Sequence, residues 1–152
     1  MMIRFANIGM LMTTLVLLGC GDSVPAPPKQ DLVPVSGTVK LDGKPAEGVL
    51  VSFVPSGSTT GQGASAVTDA EGKYALVHNA MQKPGIAVGD YTVQLTKWVL
   101  PDGSPLPKDK APHMVNAKNM IPERWGESAP GGGNAVKVPA GGTTRDFDVP
   151  TK

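Results

Sequence analysis

Beyond residue 32 the chain is cut into short apolar runs by clusters of glycine and proline, and this rhythm is what most narrows the folds open to it. Nineteen glycines and fifteen prolines stand among 152 residues, nearly twice the ordinary combined share of about 12%. Proline removes a backbone donor and breaks a helix interior, and glycine weakens one. The excess therefore excludes a helical protein. It falls between apolar runs rather than in one repetitive tract, which is the signature of many turns joining many strands. After the first nineteen residues no stretch sustains an apolar period of 3.6.

The run over 33–41 places Val33, Val35, Val39 and Leu41 at alternate positions, so one face of a strand is buried. Asp42-Gly43-Lys44-Pro45 then supplies a tight turn. The run over 49–55 is almost continuously apolar and is expected at the centre of a sheet. A polar loop over 56–63 leads to a short strand at 64–68. Asp69-Ala70-Glu71-Gly72 turns that strand into the next, at 73–77, the Asp accepting backbone N–H bonds and the Gly supplying positive φ. An irregular link over 78–88 precedes a strand at 89–99, with Tyr91, Val93 and Leu95 on one face and Thr92, Gln94, Thr96 and Trp98 on the other. Two final strands, 134–138 and 143–149, bring the number to about seven. Seven short strands predict an all-β domain over 33–150, a two-sheet sandwich with one shared core. Residues 100–133 show no clear strand and read as an irregular insert, a length that in a compact domain goes with function or disorder.

The N-terminal segment has a different character. Arg4, an apolar stretch from 8 to 18 and Gly19 have the layout of a secretory signal peptide. Residues 1–19 are therefore expected to be removed. Cys20 follows at once and is the only cysteine, so it has no disulfide partner within the chain. The Pro-rich sequence after it cannot pack around a buried thiol, and the apolar stretch falls short of the roughly 20 residues that span a bilayer. Leu17-Leu18-Gly19-Cys20 resembles the lipobox of bacterial lipoproteins. The resemblance implies that the Cys20 thiol carries a diacylglyceryl group, that residues 20–32 form a flexible Pro-rich tether, and that the chain is lipid-anchored to a membrane on its extracytoplasmic side. Two or more acyl chains, at about 0.8 kcal/mol per buried CH₂, make such an anchor effectively permanent. In Gram-negative bacteria an Asp directly after the cysteine goes with inner-membrane retention; Gly21 stands there instead, which leans towards the outer membrane.

The order of motifs in the remainder also resembles a known family. Val35-x-Gly37-x-Val39 with Asp42-Gly43-Lys44-Pro45, then Gly48-Val49 to Val54-Pro55, then Thr68-Asp69-x-x-Gly72-x-Tyr74-x-Leu76 and Gly89-x-Tyr91-x-Val93, is similar to the carboxypeptidase regulatory-like domain. The resemblance spans roughly 33–99 and, more loosely, 134–149. It implies a transthyretin-like (prealbumin-like) β-sandwich that is not itself a catalyst. The matched residues are turn glycines and inward apolar side chains, so none carries over as catalytic.

From Cys20 onward the chain has 13 basic and 13 acidic side chains. Without a clustered basic face, nucleic-acid binding is not expected. The two histidines, His78 and His113, head no recognisable catalytic motif. No enzyme and no cofactor are therefore expected. His78 with Met81, and His113 with Met114 and Met120, offer soft ligands of a kind suited to Cu(I); the competing and preferred reading is that these methionines fill gaps in the packing, and no metal is expected. Trp98 and Trp125 are the candidate contact residues, since an exposed indole stacks on a sugar or anchors a partner. Against this, Trp98 would be an edge-packing residue and Trp125 a plug by which the insert covers the sandwich. The functional expectation is a structural or protein-interaction role at the cell envelope, with a glycan- or peptide-binding module using 100–133 as the alternative.

Overall fold

The computed structural model describes residues 31–126 and 134–151. Cys20, the signal-peptide reading and all but the last two residues of the tether reading lie outside them. Among the described residues the chain is all-β, with no α-helix and two short 3₁₀ segments, Pro112–Met114 and Glu123–Trp125.

The strands are β1 (Leu32–Val33), β2 (Val35–Leu41), β3 (Lys44–Pro45), β4 (Leu50–Pro55), β5 (Ala64–Val67), β6 (Lys73–Ala75) and β7 (Val77–His78), followed by β8 (Ile86–Ala87), β9 (Gly89–Thr96), β10 (Trp98–Val99), β11 (Lys118–Asn119), β12 (Ala135–Val138), β13 (Thr143–Thr144) and β14 (Phe147–Val149). One antiparallel sheet has the order β12-β9-β4-β5-β7. The other is built around β2. One edge of β2 pairs antiparallel with β6 and β3, while the opposite edge pairs parallel with β13 and β14 in a single register. Two small ladders, β1 with β8 and β10 with β11, complete the set.

Alternation sorts the faces as the sequence pattern predicts. Val33, Val35 and Val39 are buried from the first run, and Tyr91, Val93 and Leu95 from β9. These side chains meet Val51, Phe53, Val138, Phe147 and Val149 in one core shared by the two sheets. The turn over 69–72 also forms as expected, with Asp69 Oδ1 accepting from the N–H groups of Glu71 and Lys73 and Gly72 at φ +73°.

Several expectations are corrected. The runs at 33–41, 73–77, 89–99 and 143–149 are each divided, the third at Lys97, beyond which β10 pairs β11 rather than continuing β9. Pro34 has no N–H to give and separates β1 from β2. At Leu76 the chain leaves one sheet for the other, β6 pairing β2 and β7 pairing β5. At Arg145 and Asp146 the parallel ladder is interrupted, and Asp146 Oδ1 takes over from a backbone carbonyl as acceptor for the Thr38 N–H, at 2.8 Å. The apolar run over 49–55 does lie centrally in its sheet, but only Val49, Val51 and Phe53 are buried, while Leu50 and Val54 face outward. The end of the tether reading is ordered differently too, because Leu32 pairs with Ala87. The insert is not without strands: β11 returns to pair β10, Val99 bridges Pro105, and Ile121 enters the core.

β9 also gives the domain two distinct poles. Asp31 lines an open depression with Ala87, Gly89 and Asp90 at the start of β9. Lys97 and Trp98 follow its far end, and eight extended residues separate the two by ~25 Å. The chain therefore enters the domain at one pole and Trp98 lies at the other.

Both tyrosines are held as neutral phenols. Burial pushes the Tyr74 hydroxyl well above its ordinary range, with the Asp146 charge adding to the shift and Arg145 opposing it, and burial raises Tyr91 as well. The unfolded chain loses these protons near pH 10 whereas the folded one retains them. Their contribution to stability is thus complete below about pH 10 and is lost as pH rises through the higher folded values. The thermal midpoint should fall progressively above about pH 10, and native protein at that pH should show far less phenolate absorbance than protein in denaturant. Equal absorbance in the two states would contradict the burial argument.

Candidate functional site

Parity along β9 puts Thr92, Gln94 and Thr96 on the outer face, and Trp98 emerges just beyond them, 38% exposed. It sits beside a groove of about 250 Å³ formed with Glu47, Gly48, Lys97, Val99, Gly103 and Pro105. Antiparallel pairing of β4 with β9 sets Leu50 against Thr96 and so carries the turn before β4 to this pole.

Each wall is fixed by internal hydrogen bonds. Buried Thr68 donates its hydroxyl to the Ala46 carbonyl and accepts from the Val49 N–H at 2.9 Å, while its own carbonyl accepts from Gly48. Glu47 is therefore carried on a turn tied to the core. On the other side Asn119 Oδ1 accepts from the N–H groups of Lys97 and Ile121, and the Met120 N–H donates to the Lys97 carbonyl. The hairpin above Trp98 is closed by bonds between Leu100 and Ser104 and between Gly103 and Leu100. Within it the Ser104 hydroxyl and N–H both donate to Asp102, holding that exposed carboxyl below its usual range.

Trp125 is half-buried. It packs on the core with its ring edge-to-face against Phe147 at 6.2 Å, and Arg124 Nη2 donates to the Pro150 carbonyl at 3.1 Å. This stretch of the insert, Arg124 and Trp125, is thereby fastened beside β14, while residues 127–133 lie outside the described ones. The two tryptophans thus differ in setting, Trp98 lining a groove and Trp125 packing against the core.

His78 is 3% exposed and belongs to β7 rather than to an irregular link; its Nδ1 accepts the Met81 N–H at 3.2 Å. That acceptor role ties up one ring nitrogen in a local turn. His113 is exposed on its 3₁₀ turn, and Met114 and Met120 are exposed as well, so these two methionines do not fill packing gaps. Among the described residues no three His, Cys, Asp or Glu side chains converge on a point.

A further surface was not singled out from the sequence. The outer face of the five-stranded antiparallel sheet carries Leu50, Ser52 and Val54 on β4, Ser65 and Val67 on β5, and Val77 on β7, with Leu50 directly opposite Val67. This face is uncharged across three strands and begins where the groove ends. The signal was present in the apolar side chains at the outward positions of the 49–55 run.

No protein-family model matches this chain, and no curated protein matches it. Among solved structures it is similar to the major pilin subunit BcpA of Bacillus cereus, at 13% identity and a TM-score of 0.39, covering 78% of this chain and 29% of that one. It is similar also to a DUF3823 family protein from Parabacteroides merdae, at 12% identity and a TM-score of 0.33 over 80% and 45% of the two chains. A 9R-lipoxygenase from Cyanothece matches at 14% identity and a TM-score of 0.34 over 84% and 17%. The chain spans less than half the length of each of these structures.

Proposed function

We propose that this protein is a lipid-anchored, extracytoplasmic envelope component whose transthyretin-like β-sandwich docks a ligand or partner without transforming it. The observation that carries this reading is the placement of the Trp98 groove at the pole ~25 Å from the one where residue 31 enters. An anchor on Cys20 would hold the entry pole towards the bilayer and turn the groove away from it. The sandwich reading rests on two sheets with one core, and the anchor reading on the Leu17-Leu18-Gly19-Cys20 resemblance. A non-catalytic role suits a groove that joins an indole to one acid and one base on firmly tied turns.

Two measurements test the proposal. Mass spectrometry of the mature protein should find Cys20 at the N-terminus bearing acyl chains; an unmodified Cys20 or a start elsewhere would sink the anchor. A photo-crosslinking residue at Gly103, beside the groove, should capture a binding partner or polymer in intact cells, while the same residue at Gly141 should not. Equal capture at both positions would remove the groove as the docking site.

A further inference from the structure

We infer that the Trp98 groove binds a neutral sugar ring within a polysaccharide chain; this deepens the docking role proposed above and rests on it. Three features of the groove select that chemistry over others. The first is the indole itself. The part-exposed Trp98 indole beside the groove offers an apolar surface to the C–H face of a pyranose, and the backbone that carries it is already tied down.

The second is the balance of charge. Glu47 brings a hydrogen-bond acceptor and Lys97 a donor to the same groove, one from each wall. With one charge of each sign, the groove gives neither an anionic nor a cationic ligand a net electrostatic attraction. Sugar hydroxyls donate and accept alike, so a neutral polyol satisfies both walls.

The third is that the backbone there is already used. Trp98 pairs with Asn119 and Val99 with Lys118 on one edge of β10. On the other edge the Leu106 N–H donates to the Trp98 carbonyl and Val99 bridges Pro105. A peptide cannot add itself as a strand to a β10 that is paired on both sides, which removes the commonest way an extended peptide gains affinity. Size agrees with these arguments. About 250 Å³ lies just below the range of drug-sized pockets and suits a single ring with its chain continuing into solvent.

The test uses the full-length lipoprotein in detergent micelles, with cellohexaose, chitohexaose and maltohexaose as probes. A Trp125→Phe background leaves Trp98 as the fluorescent reporter. At least one oligosaccharide should change Trp98 emission saturably. In calorimetry on the otherwise unaltered protein, Trp98→Ala should weaken that binding at least about tenfold, with Trp98→Phe in between and Glu47→Gln and Lys97→Met each costing several-fold. Trp98 is exposed, so the Trp98→Ala thermal midpoint should stay close to that of the parent, which separates lost contact from lost fold. No response to any of the three sugars, or binding that survives Trp98→Ala, would overturn the assignment. Crosslinking at Gly103 that traps a protein and no glycan would also overturn it while leaving the docking role standing. An unacylated Cys20 would instead undo the anchor and leave the sugar titration unaffected.

Discussion

Replacing Gly37 with alanine should destabilise the domain by about 3 kcal/mol, the upper end of what overpacking costs, and lower its thermal midpoint by roughly 12 °C at about 4 °C per kcal/mol. A Cβ built at Gly37 would stand 1.7 Å from the Arg145 carbonyl oxygen and 2.5 Å from its carbon. Both obstacles are backbone, so no rotamer change relieves them. Nor can the Arg145 peptide simply retreat. Its N–H donates to the Ser36 carbonyl at 2.8 Å and its carbonyl accepts the Tyr74 hydroxyl, also at 2.8 Å. Moving the peptide to admit a methyl group would break both and pull Asp146 from Thr38. Gly141 provides the control, because nothing lies within 4 Å of its notional Cβ. Gly141→Ala should leave the midpoint nearly unchanged. If Gly37→Ala melted within a few degrees of the parent, the close approach of the C-terminal strands to β2 would be wrong.

Phe53→Ala should cost about 3–5 kcal/mol, the loss typical of a fully buried aromatic ring. Phe53 lies on β4, the middle strand of its sheet, is 1% exposed, and meets Tyr91 with ring centroids 6.1 Å apart. β4 is flanked on both sides by paired strands, so the cavity could collapse only by disturbing β5 or β9. Since whole domains are stable by about 5–15 kcal/mol, this one change removes a large part of the total. Urea denaturation should show the midpoint falling by about 2 M with the slope unchanged. Leu50→Ala, one face over on the same strand, should move stability by no more than about 0.5 kcal/mol. Similar losses for the two variants would mean that the inward and outward faces of β4 have been reversed.

The two variants mark what could be read from the sequence and what could not. Burial of Phe53 follows from alternation along β4, a local property written in consecutive residues. The outward positions of Thr92, Gln94 and Thr96 follow from the same parity along β9, whereas Trp98 lies past the break at Lys97, on β10. The place of Gly37 is different: its reason is a peptide 108 positions further on, and no local pattern carries that. The same holds for the groove. Trp98 could be singled out by itself, but Glu47 joins it only because β4 and β9 pair, and the buried Thr68 that holds the Glu47 turn looked like an ordinary strand end. In the insert, Lys118–Asn119 is too short for periodicity to register, and its strand character comes from the pairing with β10. The divided strands were hidden for a related reason. A run such as 73–77 alternates evenly, although its two halves serve different sheets.

Parallel pairing of β2 with β13 and β14 also bears on when the molecule can fold. The edge of β2 that meets these strands has to wait until residues 143–149 have been synthesised, at ~5–20 residues per second, while β4, β5 and β9 can already meet. Pairings of such long separation are late and slow steps, because chain entropy is lost before any contact rewards it. The nascent polypeptide therefore keeps an unsealed edge along β2 until residues 143–149 have emerged. Among the described strands, the pair that closes this edge of β2 is the last to arrive, so the sheet built around β2 is completed only after the other sheet has all its strands.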